Sequence, residues 1–526
     1  TSAPGPETAQ LFHYRGLLTI ENGELANAER LFFRAHQLYN EAGYAPGMAE
    51  VCDSLAGLLL RRGKTGSALA FCQRSLELKR ELGDRYGEAI ALGTLGRIHL
   101  QQAHYAEAAE AFQGDLEIAR ELEDQRGVGQ MLNSLGEVHL LQGDHGAALK
   151  CFAESLEEDP SPLNQAHGWL GTARAQLAAD DVAQATSAVG QLEDTLESLP
   201  EMHGLRAGLD GLQGCLAWRD GEHDRGEQLL KSAIGTLRQR SQPLDTIPFL
   251  YELRDLYQSR DEMARAVAVM SEALDLLSEC GADCSVDDVE DWLRSVDHPR
   301  LTRLALERHL PEVLVDRVLG GELTLPPPTE QVVTILFTDI RGYTRLSEGL
   351  PPGEVVELLN DWFSEATRSI RHHGGVVDKF IGDAVMALFG LAGHDEQAAA
   401  GAVRAALEMR DELSAMNLRQ QVLGGPELHV GIGIATGNCV VGCIGSHFRQ
   451  SYTAIGDTVN TAARLESATR DFPGCDILVD QETENSQQAQ GVAESTFQGE
   501  VQLKGKQNAV PVFQVRGASH ASGASG

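Results

Sequence analysis

Cysteines are scarce in this sequence. Nine are spread over 526 residues, which is too few and too scattered for a disulfide framework. The pairs Cys280/Cys284 and Cys439/Cys443 have no accompanying ligands that would complete a zinc site. We therefore interpret the cysteines as reduced structural thiols.

Long apolar runs and a secretion signal are also missing. No segment reaches the roughly 18 apolar residues that a membrane-spanning helix needs, and the N-terminus lacks the charged-then-apolar layout of a signal peptide. The composition is that of a globular protein. We therefore predict a cytoplasmic protein with no membrane partner.

Basic residues are in the minority. There are 43 Lys plus Arg against 77 Asp plus Glu, which gives a net charge of −34. A protein that binds nucleic acid must neutralise phosphates with a basic face, so we predict no nucleic-acid partner. A phosphate-bearing substrate would have to be held by a few local cations or by metal ions.

The first 280 residues repeat with a spacing of 40. Small residues recur in register, and each is preceded five positions earlier by glycine or alanine. Such a pattern is typical of a helix–turn–helix unit, because a small turn residue permits chain reversal and alanine lets two helices approach closely. The alanines are Ala28, Ala68, Ala108 and Ala148, and the preceding residues are Gly23, Gly63, Ala103 and Gly143.

These units resemble tetratricopeptide repeats in a longer form of about 40 residues. We predict an all-α solenoid of about seven units over residues 1–281, since one unit cannot bury its apolar face alone. A solenoid has a concave groove that suits a protein or peptide partner, whose identity the sequence leaves open.

A connector and a tail flank the second domain. Residues 285–319 have a helical pattern, and Pro326 to Pro328 break any helix, so we predict a helical and proline-rich linker over residues 282–328. The catalytic domain is predicted over residues 329–516. The Gly/Ala/Ser-rich residues 517–526 are predicted to be disordered.

The second domain alternates between strand and helix patterns. A strand at Val332–Phe337 precedes a helix at Glu354–His373, two short strands, a helix at about 396–415, and the strand "ELHVGIGIATG". This is the ferredoxin-like order. We predict an α+β domain with an antiparallel sheet.

Two carboxylates fall at the ends of strands in this scheme. Asp339 ends the first strand and Asp383 lies in the turn between the next two. An isolated acid at Asp339 would most simply be a solvated turn residue leading to Gly342. In a ferredoxin-like sheet, however, the two strands are neighbours, so the carboxylates converge and repel unless cations lie between them. Oxygen ligands of this kind favour Mg²⁺ or Mn²⁺.

Three motifs, "FTDIRGYT", "DKFIGDAVMALFG" and "YTAIGDTVNTAARLE", resemble the class III nucleotidyl cyclase catalytic domain from about Gln331 to Arg516. The resemblance implies two Mg²⁺ or Mn²⁺ ions per site, held by Asp339, Ile340 and Asp383. It implies that Lys379 and Thr453 contact the base.

The same resemblance implies a role for two residues on one helix. Asn460 and Arg464 match the pair that stabilises the transition state, and their spacing of four places them on one helix face. The simpler structural interpretations are a helix cap for Asn460 and a surface ion pair for Arg464. The remaining substrate-binding candidates are Lys504 and Arg449 for the terminal phosphates, and Gly342, Tyr343 and Thr344, whose backbone N–H groups suit a triphosphate.

Lys379 and Thr453 also bear on the choice of nucleotide. Lysine donates to N1 of adenine but meets a donor at N1 of guanine, so the pair favours ATP. A solvated lysine and a threonine present for β-propensity are the simpler interpretations. Threonine at this position resembles the bicarbonate-responsive subgroup, which makes bicarbonate a candidate activator.

The reaction implied is conversion of ATP to 3′,5′-cyclic AMP and pyrophosphate, regulated through the solenoid. In the resembled family the site lies between two catalytic domains. This chain has one domain with both residue sets, so we predict a homodimer with two equivalent sites. The alternatives are a catalytically silent cyclase-like domain that acts as a dimerising scaffold, and a guanylate cyclase.

Overall fold

In the computed structural model the chain forms two compact units, Thr1–Leu301 and Thr302–Gly526. The structure describes residues 6–21, 24–199, 202–239, 244–279, 283–296, 315, 328–391, 397–446, 449–502 and 509–518. Among the helices in these ranges, none combines the length and the apolar character that crossing a bilayer requires.

The first unit is helical throughout its described ranges, with a short 3₁₀ turn at Leu244–Thr246. Its helices are α1 (Pro6–Glu21), α2 (Leu25–Glu41), α3 (Ala45–Arg61), α4 (Thr65–Leu82), α5 (Arg85–Gln101), α6 (Tyr105–Glu121), α7 (Gln125–Leu141), α8 (His145–Glu158), α9 (Pro162–Ala178), α10 (Val182–Glu197), α11 (His203–Arg219), α12 (His223–Gln239), α13 (Ile247–Ser259), α14 (Met263–Glu279) and α15 (Asp283–Val296).

Helices α1 to α14 form seven consecutive pairs, and the predicted helical-repeat fold is confirmed. The four register alanines at positions 28, 68, 108 and 148 are all fully buried. The two helices approach closely in several units: a Cβ placed on Gly96 in α5 would lie 2.4 Å from the ring of Phe112 in α6. The apolar periodicity of the sequence therefore becomes helix-on-helix packing.

The turns of the solenoid share one backbone conformation. Residues with positive φ recur every 20 positions from 43 to 143, so the turns within a unit and between units are alike. Four of the six are glycine, which adopts this conformation without strain. Ala103 (φ 57°) and Glu123 (φ 55°) adopt it with a side chain.

Parts of the predicted linker and tail lie outside the described residues. Helix α15 provides the first helix expected in the connector. Apart from Val315, the second expected helix lies outside the described ranges, as do Pro326, Pro327 and residues 519–526. Gly517 and Ala518, which were expected in the disordered tail, instead end the last strand, Val510–Ala518. The linker and domain boundaries stay predictions.

The second unit combines helices with one sheet. Its elements are β1 (Thr329–Ile340), α16 (Tyr343–Gly349), α17 (Pro352–His372), β2 (Gly375–Ile381), β3 (Ala384–Phe389), α18 (Ala398–Leu423), β4 (Val430–Ser446), β5 (Arg449–Ile455), α19 (Asp457–Ala468), β6 (Ile477–Asp480), α20 (Gln481–Ala489), β7 (Ala493–Val501) and β8 (Val510–Ala518).

The strands are ordered β2-β3-β1-β4-β6-β8-β7, and β5 pairs with β4. Strand β1 is antiparallel to both β3 and β4. The order of the first four strands confirms the predicted ferredoxin-like α+β fold. Strand β1 is longer than the predicted run Val332–Phe337, and Asp339 is its penultimate residue.

A layer of side chains packs on each face of the sheet. Helices α17 and α18 cover one face, where Trp362 is fully buried. Helix α19 covers the other face, and Gly433 in β4 allows its close approach, since a Cβ there would lie 2.2 Å from the carbonyl oxygen of Ala462. This contact fixes the height of α19, which carries Asn460 and Arg464, above the sheet.

Candidate active site

Asp339 and Asp383 meet at one end of the sheet. Strands β1 and β3 pair through Thr338 and Val385, which places the β2–β3 turn beside the end of β1. The two side chains are within hydrogen-bonding contact. Burial, this contact and the charge of Asp383, together with Glu466, raise the pKa of Asp339 to about 7. The negative charge of Asp383 therefore disfavours ionisation of Asp339 in the absence of a cation.

The acid pair has further charged neighbours on and after α19. Arg470 Nη2 lies 3.2 Å from Asp339 Oδ2. Glu466 is buried, and its Oε1 has no hydrogen-bond partner within the described part of the chain. Burial is the main cause of the raised pKa of Glu466. Asp339, Asp383 and Glu466 bring carboxylate oxygens together at this corner, and carboxylates are hard ligands that suit divalent cations. The guanidinium groups of Arg470 and Arg341 place positive charge beside Glu466.

Ile340 belongs to this corner through its backbone. Its side chain is buried in the core beneath α17 and α18. Only its carbonyl oxygen can serve as a ligand, as backbone carbonyls do for hard cations. The fit of this corner to metal ions therefore depends on two carboxylates and one carbonyl.

Lys379 and Thr453 form a second cluster. They are 74 positions apart in sequence, and Lys379 Nζ donates to Thr453 Oγ1 over 3.1 Å. Thr453 Oγ1 in turn donates to Asp378 Oδ2 over 2.6 Å, and Lys379 Nζ lies 3.3 Å from the same oxygen. The two predicted base-contacting residues thus lie side by side within one chain, on a shared carboxylate.

Asp378 reaches this cluster because strand β2 is irregular. Val377 pairs with Ala387 and Lys379 pairs with Met386, so Asp378 is an extra residue in the register. In a regular strand, consecutive side chains point to opposite faces, whereas a bulge re-aims one of them. Both Asp378 and Lys379 can therefore contact Thr453.

Asn460 and Arg464 lie one turn apart on α19. Asn460 is exposed and its Nδ2 is 3.5 Å from the carbonyl oxygen of Gly456. Arg464 is half-buried and has no ion-pair or hydrogen-bond partner within the described ranges. A guanidinium without a protein acceptor suits an incoming phosphate.

The remaining candidates are less closely placed. Gly342 precedes the short helix α16 with φ 73°, Tyr343 packs partly on the core, and Thr344 is exposed. Arg449 is the first residue of β5, and its side chain is outside the described part of the structure. Lys504 also lies outside the described residues.

Sequence reasoning missed Asp378, Glu466 and Arg470. Asp378 is adjacent to Lys379, but strand alternation predicts that it points away. Glu466 and Arg470 follow Arg464 by two and six positions, and only the packing of α19 brings them to the acid pair. The mixed charges of "RLESATRD", two arginines and two acids, gave no signal that distinguished Glu466 and Arg470 from surface charges.

A separate cluster lies between the end of α17 and α18. His372, His373 and Glu408 offer ligand atoms within 4.8 Å of one another. His373 Nε2 is 2.7 Å and His372 Nδ1 is 3.1 Å from the same Glu408 oxygen. Both imidazoles thus share one carboxylate oxygen of Glu408 at the C-terminal end of α17.

A helical repeat unit followed by a ferredoxin-like sheet with an acid pair defines a repeat protein that carries a cyclase-type α+β domain. The adenylate and guanylate cyclase catalytic domain family matches residues 325–516. Tetratricopeptide repeat families match residues 48–114 and 129–162. The chain contains a class III cyclase catalytic domain preceded by tetratricopeptide repeats, as predicted.

Individual relatives match part of the chain. An adenylate cyclase of Anabaena cylindrica is 37% identical over 189 residues, which are 35% of this chain and 36% of that protein. Among solved structures, the adenylyl cyclase CyaB of P. aeruginosa is 34% identical with a TM-score of 0.35, covering 37% of this chain and 97% of that chain. The guanylyl cyclase Cya2 is 37% identical with a TM-score of 0.34, covering 38% of this chain and 98% of that chain. The chain spans about a third of the length of the curated relatives it matches.

Proposed function

We propose that this chain is an adenylate cyclase that converts ATP to 3′,5′-cyclic AMP and pyrophosphate. The observation that carries the proposal is the convergence of Asp339 and Asp383 at adjoining strand ends. The relatives named adenylate cyclase add support.

Asp339, the carbonyl oxygen of Ile340 and Asp383 would hold two divalent ions, Mg²⁺ or Mn²⁺. When bound, such ions lower the pKa of a ribose 3′-OH and offset negative charge on the phosphates. The protein side chains then have to hold the triphosphate with its α-phosphorus in line with the 3′-oxygen, since phosphoryl transfer depends chiefly on positioning and charge.

Arg464 and Asn460 are the residues that we assign to the α-phosphate. The guanidinium presents a rigid fork of donors, and Asn460 presents an amide one helical turn away. Charge on the equatorial oxygens grows as the 3′-oxygen attacks, so donors fixed in advance stabilise the transition state more than the ground state.

Lys379 and Thr453 support adenine as the base. Lysine is a donor only and matches N1 of adenine. Thr453 is buried, with 7% of its surface exposed, and its hydroxyl oxygen suits the exocyclic amine. ATP is therefore the proposed substrate, with Lys504 and Arg449 proposed for the terminal phosphates and the Gly342–Thr344 backbone for the triphosphate.

We also propose that two copies of the cyclase domain form the active form. Four apolar side chains near the Lys379–Thr453 cluster are 41–54% exposed, and Val440 and Ile455 among them are directly paired across β4 and β5. A second copy of the domain packed on this patch would remove its apolar surface from water. The other two residues are Phe380 and Ile381.

Regulation by the repeats is part of the same proposal. The solenoid would bind a protein or peptide and alter the dimer through the connector, and bicarbonate is a second candidate effector. Removal of residues 1–280 is then expected to change the cyclase rate or the dimerisation constant. An unchanged rate together with unchanged dimerisation would contradict regulation by the repeats.

The central experiment is incubation of the full chain with ATP or GTP and Mn²⁺, with the cyclic nucleotide measured. We expect cyclic AMP from the wild type and a loss of roughly 100-fold or more in Asp383→Ala. The matched control is Asp411→Ala, whose side chain on α18 is 79% exposed. Preference for GTP would identify a guanylate cyclase, and binding without turnover would identify a silent scaffold.

A further inference from the structure

We infer that Asp378 is a positioning residue that sets base selectivity by fixing the hydroxyl proton of Thr453. The inference deepens the proposed function, because it concerns how the proposed base site distinguishes adenine from guanine. The carboxylate itself need not touch the nucleotide.

The first step is the direction of the hydrogen bond between Thr453 and Asp378. An ionised carboxylate only accepts hydrogen bonds, so over the 2.6 Å contact the hydroxyl of Thr453 must donate to Asp378 Oδ2. Lys379 Nζ, which is 3.3 Å from the same oxygen, favours the ionised form. The one proton of Thr453 is therefore committed inside the protein.

The second step follows for the lone pairs of Thr453 Oγ1. With its proton committed, Oγ1 can only accept further hydrogen bonds, as it does from Lys379 Nζ over 3.1 Å. Beside a lysine donor at ring position 1, an acceptor at position 6 matches the N6 amine of adenine. It opposes O6 of guanine, because two acceptors would face each other. A hydroxyl whose proton is not held could rotate, so that it would accept a hydrogen bond from N6 of adenine or donate one to O6 of guanine.

The third step is the cost of holding the carboxylate there. The Asp378 side chain is 1% exposed, and its Oδ1 has no hydrogen-bond partner among the residues that the structure describes. A buried carboxylate with a free oxygen is unfavourable, and the bulge in β2 is what turns it toward Thr453. Burial raises the pKa of Asp378, and the contacts with Thr453 and Lys379 oppose this rise. If the only role of Asp378 were structural, an uncharged side chain at this buried position would avoid the free-energy cost of burying a carboxylate.

The test is Asp378→Asn in the full chain. A carboxamide can turn its N–H groups toward Thr453 and release the hydroxyl proton. We expect kcat/KM for ATP to fall about tenfold through KM, the value for GTP to rise or hold, and the ATP/GTP ratio to drop about tenfold or more. Asp411→Asn is the control and should leave the ratio unchanged.

A double-mutant cycle separates positioning from a general structural effect. In a Thr453→Val background there is no hydroxyl to orient, so Asp378→Asn should produce no further change in the ratio. An equal drop in both backgrounds would overturn the inference, as would an unchanged ratio in Asp378→Asn alone. Should Asp378→Asn not fold, Thr453→Ser is expected to keep the selectivity and Thr453→Val to lose it, and the opposite result overturns the inference.

Binding measurements keep this test separate from the test of catalysis. The nucleotides 3′-deoxy-ATP and 3′-deoxy-GTP lack the attacking hydroxyl, so their affinities report base selectivity without turnover. A wild type that makes no cyclic nucleotide but prefers 3′-deoxy-ATP, with the preference lost in Asp378→Asn, would refute the proposed function and support the inference. If the wild type converts ATP but Asp378→Asn changes neither the ATP/GTP ratio of kcat/KM nor the ratio of the two 3′-deoxynucleotide affinities, the proposed function is supported and the inference is refuted.

Discussion

Arg470 donates to Asp339 over 3.2 Å at the end of strand β1. The guanidinium occupies an oxygen of the carboxylate that we propose as a metal ligand. The charge of Arg470 lowers the pKa of Asp339, while burial and Asp383 raise it, and the net result is a pKa of about 7.

The affinity of the Asp339–Asp383 pair for Mn²⁺ should depend on pH. Below pH 7 a proton on Asp339 competes with the metal, so the affinity should rise by up to about tenfold per pH unit and level off above pH 7. In Arg470→Gln the midpoint should move to higher pH, because a charge that lowers the pKa of Asp339 is lost. Titration calorimetry of Mn²⁺ binding from pH 5.5 to 8.5 measures the pH dependence of the wild type and of Arg470→Gln. Arg368→Gln on α17 is the control. A midpoint that moves to lower pH in Arg470→Gln would contradict this account.

Replacing Arg464 with alanine should act on kcat. Donors that face charge developing in the transition state contribute about 100- to 1000-fold to the rate. The KM for ATP should change much less, because the base and terminal phosphates are held elsewhere. Steady-state kinetics separate the two effects. A large rise in KM at constant kcat would instead assign Arg464 to substrate binding.

Mixing two inactive variants tests the proposed dimer. Asp383→Ala removes a metal ligand and Arg464→Ala removes a transition-state donor. If each site takes these from different copies, a mixed dimer retains one intact site of two. Random pairing of equal amounts makes half the dimers mixed, so about a quarter of the wild-type activity should return. Activity that stays at the level of the single variants would show that one copy supplies the whole site.

Asp115 should make the repeat unit less stable at high pH. It is buried in α6 against Gly93, and burial together with Asp124 raises its pKa from 3.8 to about 7. A raised pKa means that the folded state retains a proton, so stability is lost as the pH rises from about 4 to 7. Asp115→Asn should increase the protection of α5–α7 amides from hydrogen exchange at pH 8 and have little effect at pH 4. A stabilisation that is equal at both pH values would contradict ionisation as the cause.

Glu123→Gly should stabilise the solenoid by about 0.5–1 kcal/mol. Glu123 is exposed and adopts φ 55° at a turn where most equivalent positions are glycine. The same substitution at Glu117, an exposed position within α6, should destabilise by about 1 kcal/mol because glycine is unfavourable inside a helix. Thermal unfolding followed by circular dichroism compares the two. Destabilisation by both would show that φ at position 123 carries no strain.

Sequence patterns predicted the two folds because both depend on periodicity. Alanines every 40 residues became buried helix contacts, and strand–helix alternation gave the central β2-β3-β1-β4 order. Asp339 and Asp383 were predicted to converge from that order alone. The residue contacts of Lys504 and of the Arg449 side chain stay predictions.

The contacts that periodicity could not predict arise from departures from regular geometry. Asp378 contacts Thr453 only through the bulge in β2, and regular alternation predicts the opposite face. Arg470 reaches Asp339 from 131 positions away because glycines in β4 let α19 lie close to the sheet. Local sequence carries no signal of either relationship.

The β2–β3 hairpin carries Lys379 and Asp383 only four positions apart. In the proposed dimer these two residues serve different catalytic centres, the lysine holding the base in one and the aspartate the metal ions in the other. A shift of this single hairpin would then disturb both centres together, so that the enzyme would respond to its regulator as a pair and not one centre at a time.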